Sequence, residues 1–173
     1  MTNSDNLAYK IRGLVNHGMY ERYYHDEIGV NSRLDSIQAA ILNVKLKYLN
    51  KYNNSRQESA KLYNEKFDNM ELLETPFVES DFDTHVYHQY TLKVKNEMRD
   101  KLAEHLSKNN IPFGIYYPLG FHEQKAYKQE FMSENDFPVT NLVKNEVISL
   151  PMHTELSKRQ ITYITDTVSS FFE

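Results

Sequence analysis

Between Gly29 and Pro76 the chain has neither glycine nor proline, and apolar residues return at helical intervals through most of that stretch. Leu34, Ile37, Ile41, Val44, Tyr48 and Tyr52 mark one face, and Leu42, Leu46 and Leu49 widen it. The pattern predicts one long helix from Ser32 to Phe67. At ~1.5 Å per residue it spans on the order of 50 Å, enough to bridge two domains. Its start is signalled by Ser32 and Asp35, which have the S-x-x-D spacing of a capping box. Asn31 and Arg33 then sit at or just before a helix N-terminus, where unpaired amides and the helix dipole favour an anion. An amide donor and a guanidinium are suited to phosphate there. Read more plainly, Asn31 only precedes the helix and Arg33 only solvates its first turn.

Upstream, Leu7, Ile11, Leu14 and Val15 follow an Asn3/Ser4 cap and predict a helix to about Asn16, stopped near Gly18. Met19 to Val30 reads as a polar loop with Tyr20, Arg22, Tyr23, Tyr24 and His25, too aromatic for an inert linker. Downstream of Thr75-Pro76 the period changes. Glu79 to Asp83 is an acidic turn, and His85–Val94 alternates like a strand. Met98, Leu102, Ala103 and Leu106 form a helical stripe closed by Asn109-Asn110. Further strands are expected at Ile111–Tyr117 and Val147–Leu150, with a loop and short helix over Leu119 to Glu134. A helix starts at Pro138, and a last one is capped by Ser157 and Gln160. The fold class is therefore α+β. A helical segment over residues 1–75 precedes a small domain over 76–173, with a three-stranded, mostly antiparallel sheet packed by helices.

Composition excludes several functions. The 173 residues are 40% hydrophobic and 25% charged, as in ordinary globular proteins. A net charge of −4, with lysine and arginine dispersed, argues against a nucleic-acid partner. No cysteine is present, so disulfides and thiolate metal sites are excluded. No run of about 18 apolar residues predicts a membrane span, and a cytoplasmic location is expected. His17 and His25 have no carboxylate at metal-ligand spacing, so no metal is expected. Thirteen tyrosines and nine phenylalanines give rings that pack while phenol tips still hydrogen-bond. Among them, Tyr116 and Tyr117 precede Pro118 at an expected strand end, with their two rings on opposite faces of the strand.

The run Gly29-Val30-Asn31-Ser32-Arg33-Leu34-Asp35-Ser36-Ile37-Gln38-Ala39-Ala40-Ile41-Leu42 reads G-x-N-S-R-L-D-x-x-Q-A-A-x-L. Continuing into Lys45-Leu46-Lys47-Tyr48-Leu49, it closely resembles the DegT/DnrJ/EryC1/StrS family. These are fold-type-I, pyridoxal-phosphate-dependent aminotransferases with a three-layer α/β architecture, acting on nucleotide-linked keto sugars in amino-sugar and surface-polysaccharide biosynthesis. The resemblance covers essentially the whole chain but only the back part of the family fold. It implies that Asn31, on a loop reaching into the partner subunit's active site, helps hold the cofactor phosphate. It places Arg33 near the nucleotide sugar, Tyr24 and His25 in the substrate pocket, and Tyr116 and Tyr117 at its mouth. Pyridoxal 5'-phosphate, glutamate as amino donor and a homodimer are implied with it. The family often reads Y-P-x-P-L-H-x-Q where this chain has Tyr117-Pro118-Leu119-Gly120-Phe121-His122-Glu123-Gln124, which keeps His122 and Gln124 but not the second proline.

The family's Schiff-base lysine lies in an S-F-x-x-x-K-x-L-G context. No lysine here has it; Lys10, Lys45, Lys47 and Lys51 lie in helical, polar-face settings. The expectation is a C-terminal piece (a truncated or split gene product, or an expressed domain) with no catalytic residue of its own and no activity alone. Two alternatives stay open: part of a related sugar dehydratase, and a non-catalytic binding or scaffold domain.

Overall fold

The computed structural model describes residues 2–79, 84–127 and 133–173. The chain divides into two compact units, Met1–Tyr48 and Leu49–Glu173. That boundary lies upstream of the expected one at residue 75, because the helix beginning at Leu49 packs against the C-terminal helix.

In the first unit, α1 (Asp5–Leu14) is capped by Ser4, whose hydroxyl accepts from the Leu7 amide. The tyrosine-rich segment read as a loop contains an antiparallel hairpin, β1 (Met19–Glu21) with β2 (Tyr24–His25). Strands of three and two residues are too short to show an alternation. Tyr23 takes a left-handed φ of 71° in the turn, with the Arg22 guanidinium over its ring. The chain then returns along the end of α1. Val30 N–H donates to Leu14 O at 2.8 Å and Ser32 N–H to Val15 O at 3.0 Å.

That last bond corrects the expected helix start. The Ser32 amide is engaged and cannot complete a capping box with Asp35. Instead α2 (Ser36–Leu46) has Asp35 as its N-cap, and Gln38 Oε1 accepts from the Asp35 amide at 3.3 Å. The long helix is also two helices. Tyr48 N–H bonds to Lys45 O, three residues back, and this tighter turn separates α2 from α3 (Leu49–Phe67). Neither glycine nor proline marks the break. Within the first unit, the buried residues among those described are Gly13 and Gly18.

The second unit holds the apolar core. Its sheet has the order β3-β4-β5, with β3 (Leu73–Glu74), β4 (Tyr90–Val94) and β5 (Val147–Leu150), all neighbours antiparallel. Tyr90, Leu92 and Val94 are fully buried from β4, meeting Leu102 and Leu106 of α4 (Arg99–Lys108), Tyr63 and Phe67 of α3, and Val168 of α6 (Lys158–Phe172) in one cluster. Each such side chain contributes about 1.5–3 kcal/mol on burial. Tyr63 OH donates to Pro151 O at 2.9 Å, and Tyr90 OH to Asn64 Oδ1 at 2.6 Å. Burial pushes both phenols well above the usual tyrosine range.

Two strand expectations are corrected. The strand expected from His85 begins at Tyr90, because the Tyr87 amide donates to His85 Nδ1 at 3.0 Å and Tyr87 turns through φ 43° to bury its ring. Ile111–Tyr117 is no strand and does not pair with β4. It makes a single antiparallel bridge, Gly114 with Ser149 of β5, and the unexpected β3 takes the opposite edge of the sheet. The helix ends downstream of β4 are as read. Asn110 sits at φ 55° after α4, with Ile111 N–H on Leu106 O and Asn110 N–H on Ser107 O. Pro138 opens α5 (Pro138–Glu146), and Ser157 and Gln160 bond reciprocally at the start of α6. The acidic turn and the loop after Leu119 fall partly at residues 80–83 and 128–132, outside the described residues. Among the described residues no helix is long and apolar enough to cross a membrane.

Candidate functional site

Four of the six site residues expected from the sequence, Tyr24, His25, Asn31 and Arg33, lie in the first unit. Asn31 bridges antiparallel with Asn16, just beyond α1. His17 N–H donates to Val30 O at 3.1 Å, and the His25 ring donates from Nδ1 to His17 O at 2.8 Å. Two glycines allow this closeness. Gly18, at φ 74°, approaches the Glu27 carbonyl so closely that a Cβ would sit 1.7 Å from its oxygen, and a Cβ on Gly29 would lie 2.1 Å from Gly18 N. Glu27 also accepts from the Tyr20 hydroxyl, clasping the hairpin to the return segment. Tyr24, paired with Glu21 across the hairpin, is 65% exposed.

Arg33 Nε donates to Asn31 Oδ1 at 3.1 Å. With its oxygen so occupied, the Asn31 amide presents Nδ2, a donor, as its remaining polar atom. The pair thus offers an anion a neutral N–H donor and a guanidinium side by side, both exposed.

Tyr116 and Tyr117 belong to the second unit. Their rings meet edge-on at 5.7 Å, and the peptide between them is cis. Both line a cleft of roughly 660 Å³, with Phe121, Tyr127, Val139 and Lys144 among its other walls. Lys144 Nζ lies 2.5 Å from Glu123 Oε1, both side chains largely buried, and Gly120 N–H donates to Glu123 Oε2 at 2.8 Å. The Lys144 hydrogen bond, then the Gly120 amide, hold the Glu123 carboxyl below the usual range. This ion pair escaped the sequence reading, since two polar residues 21 positions apart carry no periodic signal. The Tyr20–Glu27 clasp escaped it for the same reason. Among the described residues no group of histidine, aspartate or glutamate side chains is arranged to hold a metal.

The model of the DegT/DnrJ/EryC1/StrS aminotransferase family matches residues 1–169. The chain belongs to this family. It is 36% identical over 99% of its length to a pleiotropic regulatory protein of Geobacillus stearothermophilus, covering 46% of that protein. It is 35% identical over 98% of its length to the dTDP-3-amino-3,6-dideoxy-alpha-D-galactopyranose transaminase of Aneurinibacillus thermoaerophilus, covering 45% of it. Among solved structures, DesV of S. venezuelae in complex with a ketimine intermediate superimposes with a TM-score of 0.88 at 31% identity, over all of this chain and 46% of that one. The chain spans under half the length of these relatives.

DegT/DnrJ/EryC1/StrS aminotransferases depend on pyridoxal phosphate, and the residues here fit one end of that cofactor. The Nδ2 donor of Asn31, oriented by Arg33, suits its phosphate. No lysine of the chain lies in the S-F-x-x-x-K-x-L-G context.

Proposed function

We propose that this chain supplies the phosphate contact, substrate wall and subunit surface of a pyridoxal-phosphate-dependent aminotransferase that aminates a nucleotide-linked keto sugar. The imine-forming lysine is carried by a large domain outside these residues. The observation that carries the reading is the Arg33–Asn31 contact in a chain matched by the family model almost end to end. Bound pyridoxal phosphate supplies the electron sink through which nitrogen passes between amino acid and sugar. Asn31 donates from Nδ2 to the cofactor phosphate, and Arg33 faces the nucleotide diphosphate. Tyr24 and His25 in the first unit, and Tyr116 and Tyr117 in the second, are substrate contacts of the completed enzyme. Glutamate is the amino donor, the setting is cytoplasmic amino-sugar or surface-polysaccharide synthesis, and the exposed apolar faces of α1 and α2 support a homodimer.

The test joins this chain to the lysine-bearing N-terminal domain of a family relative. Amino transfer from glutamate to UDP- and dTDP-linked 3-keto sugars is then followed. The reading expects an amino sugar nucleotide and its loss in Asn31→Asp, which sets a carboxylate against the phosphate. A dehydrated sugar with no amine incorporated would place the chain in the dehydratase branch instead.

A further inference from the structure

Gly114 is held by the edge of β5 through two backbone bonds. Its N–H donates to Ser149 O at 3.0 Å, and its carbonyl accepts from Ser149 N–H at 2.7 Å. It is not in the left-handed region, so its backbone does not require glycine. What fills the space a Cβ would take is the ring of Tyr116. A Cβ on Gly114 would stand 2.4 Å from Cε2 and Cζ of that ring and 2.5 Å from its hydroxyl oxygen.

Tyr116 lines two clefts at once. One is the roughly 660 Å³ cleft walled by Phe121, Tyr127 and Val139. The other, of roughly 340 Å³, is bordered by His88, Gln89 and Ser149. Tyr116 is therefore shared between a mainly aromatic and aliphatic cleft and a mixed one, where an imidazole, an amide and a hydroxyl stand beside Pro112, Phe113 and Met152. We propose that Gly114 is a specificity-determining position acting through Tyr116: its bare Cα seats the phenol as the partition between the two clefts. The substrate consequence rests on the aminotransferase reading above. A nucleotide-linked sugar laid across the ring meets apolar walls on one side and hydrogen-bonding groups on the other. A ring displaced by one methyl group changes which sugars fit, and leaves the chemistry and the amino donor untouched.

The first measurement needs only the 173-residue chain. With ring-labelled tyrosine, the Tyr116 NMR signals are identified by their loss in Tyr116→Phe. Gly114→Ala is expected to shift those ring signals while the Ser149 amide keeps its protection from exchange. Unmoved ring signals, or a Ser149 amide that loses protection, overturn the partition. The second measurement uses the enzyme completed by its lysine-bearing domain. Gly114→Ala should raise KM for the sugar nucleotide, leave KM for glutamate unchanged, and alter the kcat/KM ratio between two keto sugars by on the order of tenfold, the scale of one methyl group in a pocket. A moved ring with an unaltered ratio overturns the specificity role. No amino transfer by the unsubstituted enzyme refutes the aminotransferase reading, and the ring measurement then decides the partition by itself.

Discussion

Arg33 Nε donates to Asn31 Oδ1 at 3.1 Å, so the guanidinium fixes which end of the Asn31 amide is left for a ligand. Replacing Asn31 should therefore act on the cofactor phosphate, and replacing Arg33 on the nucleotide sugar and, through Asn31, on the cofactor phosphate as well. In the completed enzyme, Asn31→Ala should weaken cofactor retention by about 1.5–3 kcal/mol, the net value of a hydrogen bond to a charged group. Arg33→Ala should cost at least as much, because both sides of its contact are charged, and mainly in sugar-nucleotide turnover. Equilibrium dialysis of pyridoxal phosphate and steady-state kinetics separate the two effects. An Arg33→Ala enzyme with unchanged retention and unchanged turnover would show that the pair only builds the loop.

The Tyr20 hydroxyl donates to the Glu27 carboxylate, and that bond, ahead of burial and the charge of Glu27, pushes the phenol up to about 12. The folded value lies above the ordinary tyrosine value of about 10. The clasp is thus fully present below pH ~10 and is lost as pH rises through the folded value. An alkaline absorbance titration of the chain should lose one late-titrating phenol in Tyr20→Phe. Glu27→Gln should bring that phenol back toward ordinary alkalinity. A titration unmoved by Glu27→Gln would mean the carboxylate does not hold the proton.

Tyr63 joins α3 to the segment after β5 through its bond to the Pro151 carbonyl, with its ring fully buried. Tyr63→Phe keeps the packing and should cost about 0.5–1.5 kcal/mol in urea unfolding. Tyr63→Ala opens a cavity as well and should cost about 3–5 kcal/mol. Equal losses for the two variants would show that the hydroxyl, and not the ring, carries the stability.

No described residue of α2 is buried, although its face carries Ile37, Ile41 and Val44, and α1 leaves Leu7 and Ile11 exposed. Apolar surface of this kind is normally covered by a partner. Sedimentation at micromolar concentration should show a dimer or larger species, and Ile37→Glu with Ile41→Glu should shift it toward monomer. A clean monomer for the unsubstituted chain would contradict this.

Caps and periods were legible because they are local. Ser4, Pro138 and the Ser157–Gln160 pair mark helix starts by chemistry within four residues. Asn110 likewise marks a helix end. What failed was set by distant partners. The Ser32 amide is claimed by Val15, which moves the start of α2 to Ser36. Tyr87 turns inward to reach the core, which ends the alternation read from His85. Ile111–Tyr117 has the composition of a strand, yet only Gly114 finds a partner on β5. At the candidate site, spacing and family resemblance together singled out Asn31 and Arg33, while the bond between their side chains carried no signal in the sequence. The seating of Tyr116 on Gly114 carried none either, because it depends on the absence of a side chain.

The division of labour between this chain and a lysine-bearing domain is tested most directly by borohydride reduction with pyridoxal phosphate, followed by peptide mapping. The chain alone should yield no site-specific pyridoxyl-lysine and no amino transfer to a keto sugar nucleotide. Joined to the lysine-bearing domain, it should yield one labelled lysine, located in that domain, together with transfer. Specific labelling of a single lysine within these 173 residues, accompanied by transfer, would contradict the assignment and place the covalent centre inside this chain.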